Sequence, residues 1–362
     1  MSSVTTTEEW VLGPENTPFY TKRWFPTGEE PKACIIFVHG FAEHIARYDR
    51  FFTTLASPPS SLHITAFDQR GHGRTSQAPL TATSSEVVAW KKEGKTVKLE
   101  KNGKRRTGGW GKVFSDIEWF VKRESLKAKE LGGKKLFLHG FSMGGGQVLA
   151  FPTRPRAPPS SETVKLLSGV ISGGPLIRQT NPSPAIQVKA GTLVAGLGLG
   201  SFLIPTPMDY SHLTHDETIY KAVVDDPFCE QVGSLRGVAD MLNGGASLDS
   251  PAGWDAWPED LPLLLYHGGE DNICDLKATV RFGEKVKAKD KKVEIIDGMY
   301  HEVHNELEPV PTNLAKTISD WVHARIGETE TQVFAGAQDC TSAGTAADEG
   351  AQTATGVGIS KL

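Results

Sequence analysis

The segment over residues 135–146, KLFLHGFSMGGG, constrains the fold more than any other part of the sequence. Its apolar start, residues 136–138, predicts a buried strand, and a G-x-S-x-G centred on Ser142 follows at once. In this motif the serine lies on a sharp turn between a strand and a helix, where the flanking glycines leave no room for side chains. The pattern therefore predicts Ser142 as a nucleophile held at the end of a sheet.

Other apolar runs indicate the rest of the sheet. Strands are predicted over residues 9–13, 19–25, 33–38, 62–67, 166–171, 263–266 and 293–296. Helices are predicted over residues 110–131, 275–288 and 311–326, and one more follows the strand at 33–38. Buried strands that alternate with helices imply a mostly parallel sheet covered on both faces.

Composition excludes several classes of function. The net charge of the 362 residues is −4, so the chain as a whole does not indicate a nucleic-acid partner. Its four cysteines are scattered without a C-x-x-C, which gives neither a zinc site nor a disulfide framework. The polar, acidic start is unlike a secretory signal, and we expect an intracellular protein.

A serine nucleophile needs an imidazole to take its proton and a carboxylate to orient that imidazole. In sheets of this kind the partners follow in the order Ser, Asp, His, each beyond a later strand. Asp271 follows the strand at 263–266 through two glycines and is the predicted acid. Asp275 is the alternative, although it opens a helix as an N-cap, and Glu270 is expected to face solvent.

The predicted base is His301, which follows the strand at 293–296 by a short loop, and His304 is the alternative. The sequence His301-Glu302-Val303-His304 is not H-E-x-x-H, so it does not favour zinc. Acyl transfer also needs two backbone N–H groups for the developing oxyanion. The residue after the nucleophile and the loop after the third strand supply them, which assigns Met143 and Phe41.

Three segments lie outside this alternation. Residues 91–106 are strongly basic and contain Asn102-Gly103, which predicts a surface hairpin with a type I′ turn, either simply solvated or attracting anionic lipid. Residues 176–257 interrupt the alternation of strands and helices. Residues 327–362 are rich in small and polar residues, and we expect them to be a disordered tail after a domain over residues 1–326.

With these positions assigned, the chain resembles the monoacylglycerol lipases of the α/β-hydrolase superfamily, especially their fungal branch. The likeness runs over most of residues 20–326 and depends on HGFAEH at 39–44, FDQRGHG at 67–73, GFSMGG at 140–145, and the segments 269–275 and 298–304. It implies an α/β-hydrolase fold of about eight strands flanked by helices, with a lid insert after the sixth strand. That lid would be residues 176–257.

The resemblance also implies roles for individual residues. Ser142, Asp271 and His301 match the catalytic triad, and Phe41 and Met143 match the oxyanion donors. Glu43, Arg47 and His304 match polar positions at the glycerol end of the site, and Cys274 matches a cysteine beside it, which hints at sensitivity to thiol reagents. One departure is Phe141, where the family usually has histidine before the serine; another is the basic segment, which is longer than usual.

These features predict hydrolysis of monoacylglycerol to glycerol and a fatty acid through an acyl-enzyme, with no metal or organic cofactor. Alternatives are a lysophospholipase or general carboxylesterase, and a non-catalytic lipid-binding protein on the same fold. Within the expected lid, residues 190–205 carry no charge but are too short to span a bilayer. They either pack on the core or form a mobile lid that contacts a lipid surface and lines an acyl tunnel.

The last three residues, Ser360-Lys361-Leu362, form the address read by the peroxisomal import receptor. The sequence therefore predicts import into peroxisomes. The alternative is a cytoplasmic protein that associates with membranes or lipid droplets.

Overall fold

The computed structural model describes residues 3–99, 103–182 and 185–327, with the side chains of residues 185–188 left aside. The predicted tail from residue 328 onward, with its Ser360-Lys361-Leu362 address, lies outside the described residues. Asn102, the first residue of the predicted hairpin turn, lies outside them too.

Within the described residues, one sheet has eight strands in the order β1-β2-β4-β3-β5-β6-β9-β10. The strands are β1 Val4–Leu12, β2 Pro18–Pro26, β3 Cys34–Val38, β4 His63–Phe67, β5 Leu136–Phe141, β6 Gly169–Gly173, β9 Leu263–Gly268 and β10 Lys291–Ile296. Strands β1 and β2 are antiparallel, β2 joins β4 antiparallel, and all pairs from β4 to β10 are parallel. A second, two-stranded sheet pairs β7 Leu203–Pro205 with β8 Val232–Ser234.

Helices connect the parallel strands. In chain order, the helices of the described residues are α1 Asp49–Ala56, α2 Gly73–Gln77, α3 Ser85–Lys92, α4 Trp110–Glu130, α5 Met143–Thr153, α6 Ser161–Val164, α7 Ala185–Val194, α8 Glu217–Asp225, α9 Leu235–Leu248, α10 Pro251–Trp254, α11 Leu276–Lys285 and α12 Val310–His323. Shorter helical turns cover Pro14–Asn16, Ile45–Tyr48, Ala195–Leu199, Tyr210–His212 and Val303–Asn305. Within the described ranges, no helix is both long and apolar enough to cross a membrane.

The alternation of side chains along the central strands builds a core on each face of the sheet. On β3, Ile36 points into a cluster with Phe114 and Phe120 of α4, whereas Phe37 joins a second cluster with Phe52 of α1 and Ile318 of α12. Because both faces are covered, these strands are apolar at nearly every position. This arrangement confirms the predicted mostly parallel sheet flanked by helices.

The predicted hairpin over residues 91–106 is wrong in its described part. Residues 91–92 end α3, and residues 93–99 and 103–106 form no strand. Arg105 is 1% exposed, and its guanidinium donates to the carbonyl oxygens of Phe228 (2.7 Å) and Glu230 (3.0 Å). This part of the basic segment is therefore held by carbonyl groups that are distant in sequence. The Asn-Gly pair and its neighbours could not indicate such contacts. A smaller error concerns β6, which begins at Gly169 and not at residue 166.

The insert, defined as residues 176–257, separates β6 from β9. It contains α7 to α10 and the small β7–β8 sheet. Helix α7 and the turn Ala195–Leu199 cover much of the uncharged stretch over residues 190–205. The helical conformation forms there even though glycine has a low helix propensity.

Candidate active site

Ser142 lies on the turn between the end of β5 and the start of α5. Its backbone has φ 56° and ψ −119°, a strained conformation for a residue with a side chain. Three hydrogen bonds fix it: the Ser142 N–H donates to the Gly173 carbonyl, and the Ser142 carbonyl accepts from the N–H groups of Gly146 and Leu176, each at 2.9 Å. The surrounding backbone therefore holds the serine in its strained position.

The glycines of the motif are required by close backbone contacts. A Cβ atom on Gly140 would lie 2.3 Å from the carbonyl oxygen of Gly144. A Cβ atom on Gly144 would lie 2.0 Å from the carbonyl oxygen of Val38 on the neighbouring strand β3. Side chains are excluded at both positions, for the steric reason that the sequence pattern indicates.

The structure brings Ser142, His301 and Asp271 together. The Oγ of Ser142 lies 3.0 Å from Nε2 of His301, and Nδ1 of His301 lies 2.6 Å from Oδ2 of Asp271. Because an ionised carboxylate only accepts hydrogen bonds, Nδ1 carries the proton and the lone pair of Nε2 faces the serine hydroxyl. All three groups have the geometry of a nucleophile, its base and the acid that orients the base.

Asp271 is held as a carboxylate by its neighbours. Its Oδ1 accepts from the backbone N–H groups of Ile273 (2.7 Å) and Cys274 (2.9 Å), and its Oδ2 lies 3.0 Å from Nε2 of His267. Burial raises the pKa of Asp271, but the charges and hydrogen bonds of His301 and His267 outweigh burial and hold that pKa well below its usual range. Burial lowers the pKa of His301, and the Asp271 carboxylate reverses this, so that the net pKa lies above its ordinary value.

The alternative acids occupy other positions. The Asp275 side chain accepts from the backbone N–H of Lys277 at 3.0 Å and caps α11, as its place before the helix predicts. Glu270 is exposed. His267, in contrast, contacts the acid directly, and its position at the end of β9, four residues before Asp271, is the signal that could have indicated this.

Phe41 and Met143, the two predicted oxyanion donors, belong to different parts of the chain. Phe41 belongs to the turn after β3, and Met143 is the first residue of α5. Among the described residues, the backbone N–H groups of Phe41 and Met143 have no acceptor. Both are therefore available to an oxygen of a bound substrate.

A buried ionic cluster lies beside the base. The Arg47 guanidinium donates to both carboxylate oxygens of Glu302 at 2.7 Å and to Glu43 at 2.8 Å. Glu43 also accepts from the Tyr48 hydroxyl (2.7 Å) and from the N–H of Gly40, the residue before Phe41. Burial raises the pKa of Glu302, but Arg47 outweighs it and lowers that pKa to about 2. The sequence indicated Glu43 and Arg47 but not Glu302.

His304 does not line the active-site cavity, contrary to the head-group role that the resemblance implied. Its side chain is 1% exposed and packs against Tyr48 and Phe141, with ring centroids 4.6 Å apart in each case. Neither ring nitrogen has a hydrogen-bond partner among the described residues. Burial lowers the pKa of His304 to about 3, so the ring is neutral and serves as an aromatic packing group.

The active-site cavity has a volume of about 650 Å³ and opens onto Ser142 and His301. Glu43, Arg47 and Glu302 line its polar part. The insert supplies most of the apolar wall, including Met208, Leu213, Val223, Leu235, Val238 and Met241. The cavity therefore combines a charged, hydrogen-bonding region with an apolar region around one nucleophile.

Two clusters of the described residues have side chains close enough to share a metal ion. One is Asp271, Cys274 and His301, and the other is His44, Asp226 and Cys229. In both clusters the histidine is already hydrogen-bonded to the aspartate. Burial raises the pKa of Cys229 to about 12 and that of Cys274 well above its usual range, so both side chains are protonated thiols at neutral pH.

A mostly parallel sheet with a serine on the strand–turn–helix at its end defines the α/β-hydrolase class. Over residues 29–308 the sequence matches the family described as serine aminopeptidase, S33. The chain belongs to this family and is a serine ester hydrolase.

Relatives and solved structures agree with this placement. The chain is 32% identical over 316 residues to "Putative monoglyceride lipase" of Schizosaccharomyces pombe, covering 86% of this chain and 73% of that protein. It is 28% identical over 313 residues to the monoglyceride lipase of Homo sapiens, covering 84% and 87%. The fold matches a soluble variant of monoglyceride lipase from Saccharomyces cerevisiae in complex with a substrate analog, with a TM-score of 0.72, 23% identity, and coverage of 88% and 95%.

Proposed function

We propose that the protein hydrolyses monoacylglycerol to glycerol and a free fatty acid through an acyl-enzyme on Ser142. The observation that carries the proposal is the hydrogen-bonded chain from Ser142 through His301 to Asp271, placed in a cavity with one polar and one apolar region. Similarity to monoglyceride lipases supports the substrate class.

In the first half-reaction, Oγ of Ser142 attacks the ester carbonyl carbon while Nε2 of His301 takes the hydroxyl proton. The carbonyl oxygen becomes an oxyanion and accepts from the N–H groups of Phe41 and Met143. Asp271 keeps the imidazole in the correct tautomer and stabilises its positive charge. The tetrahedral intermediate then collapses, His301 gives its proton to the leaving oxygen, and glycerol departs.

In the second half-reaction, water attacks the acyl carbon of the Ser142 ester. His301 takes a proton from that water, the oxyanion forms again at Phe41 and Met143, and the Ser142–acyl bond breaks. His301 returns the proton to the serine oxygen, and the fatty acid leaves. The same three side chains therefore serve both steps.

The cavity suits a substrate with a small polar head and one long chain. Glu43 and Glu302 offer carboxylate acceptors to glycerol hydroxyls near His301. The apolar wall from the insert buries the acyl chain, and each CH₂ removed from water contributes about 0.8 kcal/mol. We assign the glycerol to the ionic cluster and the acyl chain to the wall formed by the insert.

The insert also supports contact with a lipid surface. Leu193, Leu197, Leu199 and Phe202 are exposed large apolar residues within the uncharged stretch over residues 190–205. Exposure on this scale fits an apolar segment that enters a lipid interface better than one that packs on the core. We propose that the insert acts as a lid that contacts the surface from which the substrate is drawn.

The ionic cluster argues against the alternative of a lysophospholipase. Arg47 is bonded to both Glu43 and Glu302, so two carboxylates face one guanidinium near the head-group position. A phosphate-bearing head group would bring further negative charge into this buried site, where Arg47 is the only lysine or arginine among the described lining residues. A neutral polyol meets no such cost.

A substrate panel tests the proposal. Monooleoylglycerol, oleoyl lysophosphatidic acid and the p-nitrophenyl ester of butyric acid present a neutral head, a charged head with the same chain, and a short soluble ester. We expect the highest kcat/KM on monooleoylglycerol. Faster turnover of the lysophospholipid would overturn the proposed substrate class, and a preference for the short ester would indicate a general carboxylesterase.

A further inference from the structure

The side chain of Glu306 lies buried in the loop that carries His301. We call residues 297–309, between β10 and α12, the base loop. Glu306 is 1% exposed, and it is not among the described residues that line the active-site cavity. Because a buried polar group needs hydrogen-bond partners, its contacts show what the carboxyl group does there.

Three nitrogen atoms converge on the Glu306 carboxyl group. The backbone N–H of Tyr300 donates to Oε1 at 3.0 Å, and the backbone N–H of His215 donates to Oε2 at the same distance. Nδ1 of the His215 ring lies 3.0 Å from Oε1. Among the described residues, no backbone carbonyl accepts from the N–H of Tyr300 or of His215. The carboxyl group therefore supplies acceptors for the residue before His301 and for a residue of the insert.

The insert contacts the base loop through the same short segment, residues 212–215. The N–H of Glu302 donates to the carbonyl of Leu213 at 2.6 Å. The His215 ring stacks on Tyr300, with centroids 3.8 Å apart and ring planes at 23°. Since Leu213 also lines the active-site cavity, these contacts join the base loop to one wall of the cavity.

The position of Tyr300 determines where the base lies, because His301 follows it in the chain. The backbone N–H of His301 itself has only a long contact, 3.5 Å to the carbonyl of His212. Nε2 of His301 lies 3.0 Å from Oγ of Ser142, and a misplacement of about 1 Å in an active site can cost about a hundredfold in rate. A base loop released at Tyr300 would therefore carry the imidazole away from the nucleophile.

We propose that Glu306 is a positioning residue for ester hydrolysis. Through Tyr300 it fixes the backbone that carries His301, and through His215 it holds that backbone against the insert. Glu306 neither touches the substrate nor exchanges a proton with it. The inference rests on the role of His301 as the base in the proposed function, and it adds the group that keeps this base in place.

Steady-state kinetics of Glu306→Leu on the p-nitrophenyl ester of butyric acid test the proposal. Leucine fills a similar volume but accepts no hydrogen bond, so the N–H of Tyr300 loses its acceptor. We expect kcat to fall by about ten- to a hundredfold while KM changes little, because the substrate still binds but the base is misplaced. Thermal unfolding checks the fold of the variant.

Glu306→Gln is a second, milder variant. Its amide keeps one acceptor oxygen, so it must leave the N–H of either Tyr300 or His215 without an acceptor. We expect a smaller loss of kcat than in Glu306→Leu. If only Glu306→Gln folds, a kcat equal to that of the parent would overturn the proposal.

The matched control is Glu118→Leu on α4. Glu118 also accepts from a backbone N–H of another segment, that of Ser160 at 3.0 Å, and from the Thr163 hydroxyl at 2.8 Å. It is not among the described residues that line the active-site cavity. This variant should lower the unfolding temperature, as Glu306→Leu should, but leave kcat unchanged.

A folded Glu306→Leu enzyme with the kcat of the parent would overturn the proposal, since Glu306 would then act on stability alone. Equal losses of kcat in Glu306→Leu and Glu118→Leu would overturn it too, because general destabilisation would then explain both. His301→Ala separates the proposal from the proposed function. An active His301→Ala enzyme would contradict both, whereas an inactive one beside a fully active Glu306→Leu enzyme would contradict only the positioning role.

Discussion

His301 lies between the Asp271 carboxylate, which raises the pKa of the imidazole, and the Ser142 hydroxyl, which can give its proton only to the neutral imidazole. Because the pKa of His301 lies above its ordinary value of 6.5, the imidazole keeps its proton to a higher pH than a free histidine. Only the neutral ring can accept the Ser142 proton, so activity is lost as the pH falls through this raised pKa. We expect the acidic limb of kcat/KM on a soluble ester to have its midpoint above pH 6.5.

Glu302→Gln offers a comparison for that measurement. Glu302 raises the pKa of His301 through its negative charge, after the larger contribution of Asp271. Removing the charge should move the midpoint of the acidic limb to lower pH. A midpoint that stays in place or rises would contradict the assignment of this limb to His301.

Replacing His301 should affect catalysis, whereas replacing His304 should affect stability. His301→Ala should reduce kcat by at least about a thousandfold and leave the fold intact, because the base and nucleophile act as a unit. His304→Ala should instead lower the free energy of unfolding by about 2–4 kcal/mol, because it leaves a cavity between the rings of Tyr48 and Phe141. Kinetics and urea unfolding of both variants check this. A stable His304→Ala enzyme with no turnover would reverse the two roles.

At the scale of residues, the site residues that could be predicted from the sequence are those whose chemistry follows from their position in a motif. Ser142, Asp271 and His301 each follow a strand that its apolar run reveals, and the structure places their side chains within hydrogen-bonding distance. Glu302 was not found, because its partner Arg47 is 255 residues away in the chain. His304 was misplaced, since a match to a motif does not show which way a side chain points.

At the scale of elements, the turn between β5 and α5 tolerates no side chain beside the nucleophile. Gly144→Ala should lower the free energy of unfolding by about 3 kcal/mol and reduce activity, because its Cβ would overlap the Val38 carbonyl. The control is Gly111→Ala on α4, where an added Cβ meets nothing within 4 Å. That change should be neutral or stabilise by up to about 1 kcal/mol. Similar unfolding curves for the two variants would contradict this account of the turn.

The proposed lid contact gives a prediction about the insert. Leu197→Asp should reduce activity on emulsified monooleoylglycerol by about tenfold and spare a soluble ester, since burying a leucine contributes about 1.5–3 kcal/mol. Leu126→Asp on α4 is the control, because Leu126 is also exposed but lies outside the insert. Equal losses on both substrates would mean that Leu197 supports the fold of the insert.

Strands could be predicted from the sequence where burial on both faces requires apolar residues. The central strands are apolar at almost every position because helices cover both faces, and this run of apolar residues is visible in the sequence. The basic segment was not predictable in the same way. Its Asn-Gly pair favours a hairpin locally, but Arg105 binds carbonyls of the insert, and such long-range contacts override local preference.

At the scale of the whole molecule, the order of strands and helices was enough to predict the sheet, whereas the path of the insert depends on contacts with the core that no local pattern records. The domain limits and the peroxisomal address at Ser360-Lys361-Leu362 stay predictions of the sequence, since the tail lies outside the described residues. The division of the active-site cavity into a polar and an apolar region is a property of the assembled fold, because the ends of β3, β5, β9 and β10 and the insert all contribute to it.

The most direct test of the account is the release of glycerol and fatty acid from monooleoylglycerol by the parent protein and by Ser142→Ala, with fluorophosphonate labelling of both. We expect the parent to release the two products in equal amounts and to carry the label on Ser142. The variant should be folded, unlabelled and slower by about a thousandfold or more. A folded variant that keeps more than about a hundredth of the parent rate would contradict the account, because another group would then be the nucleophile.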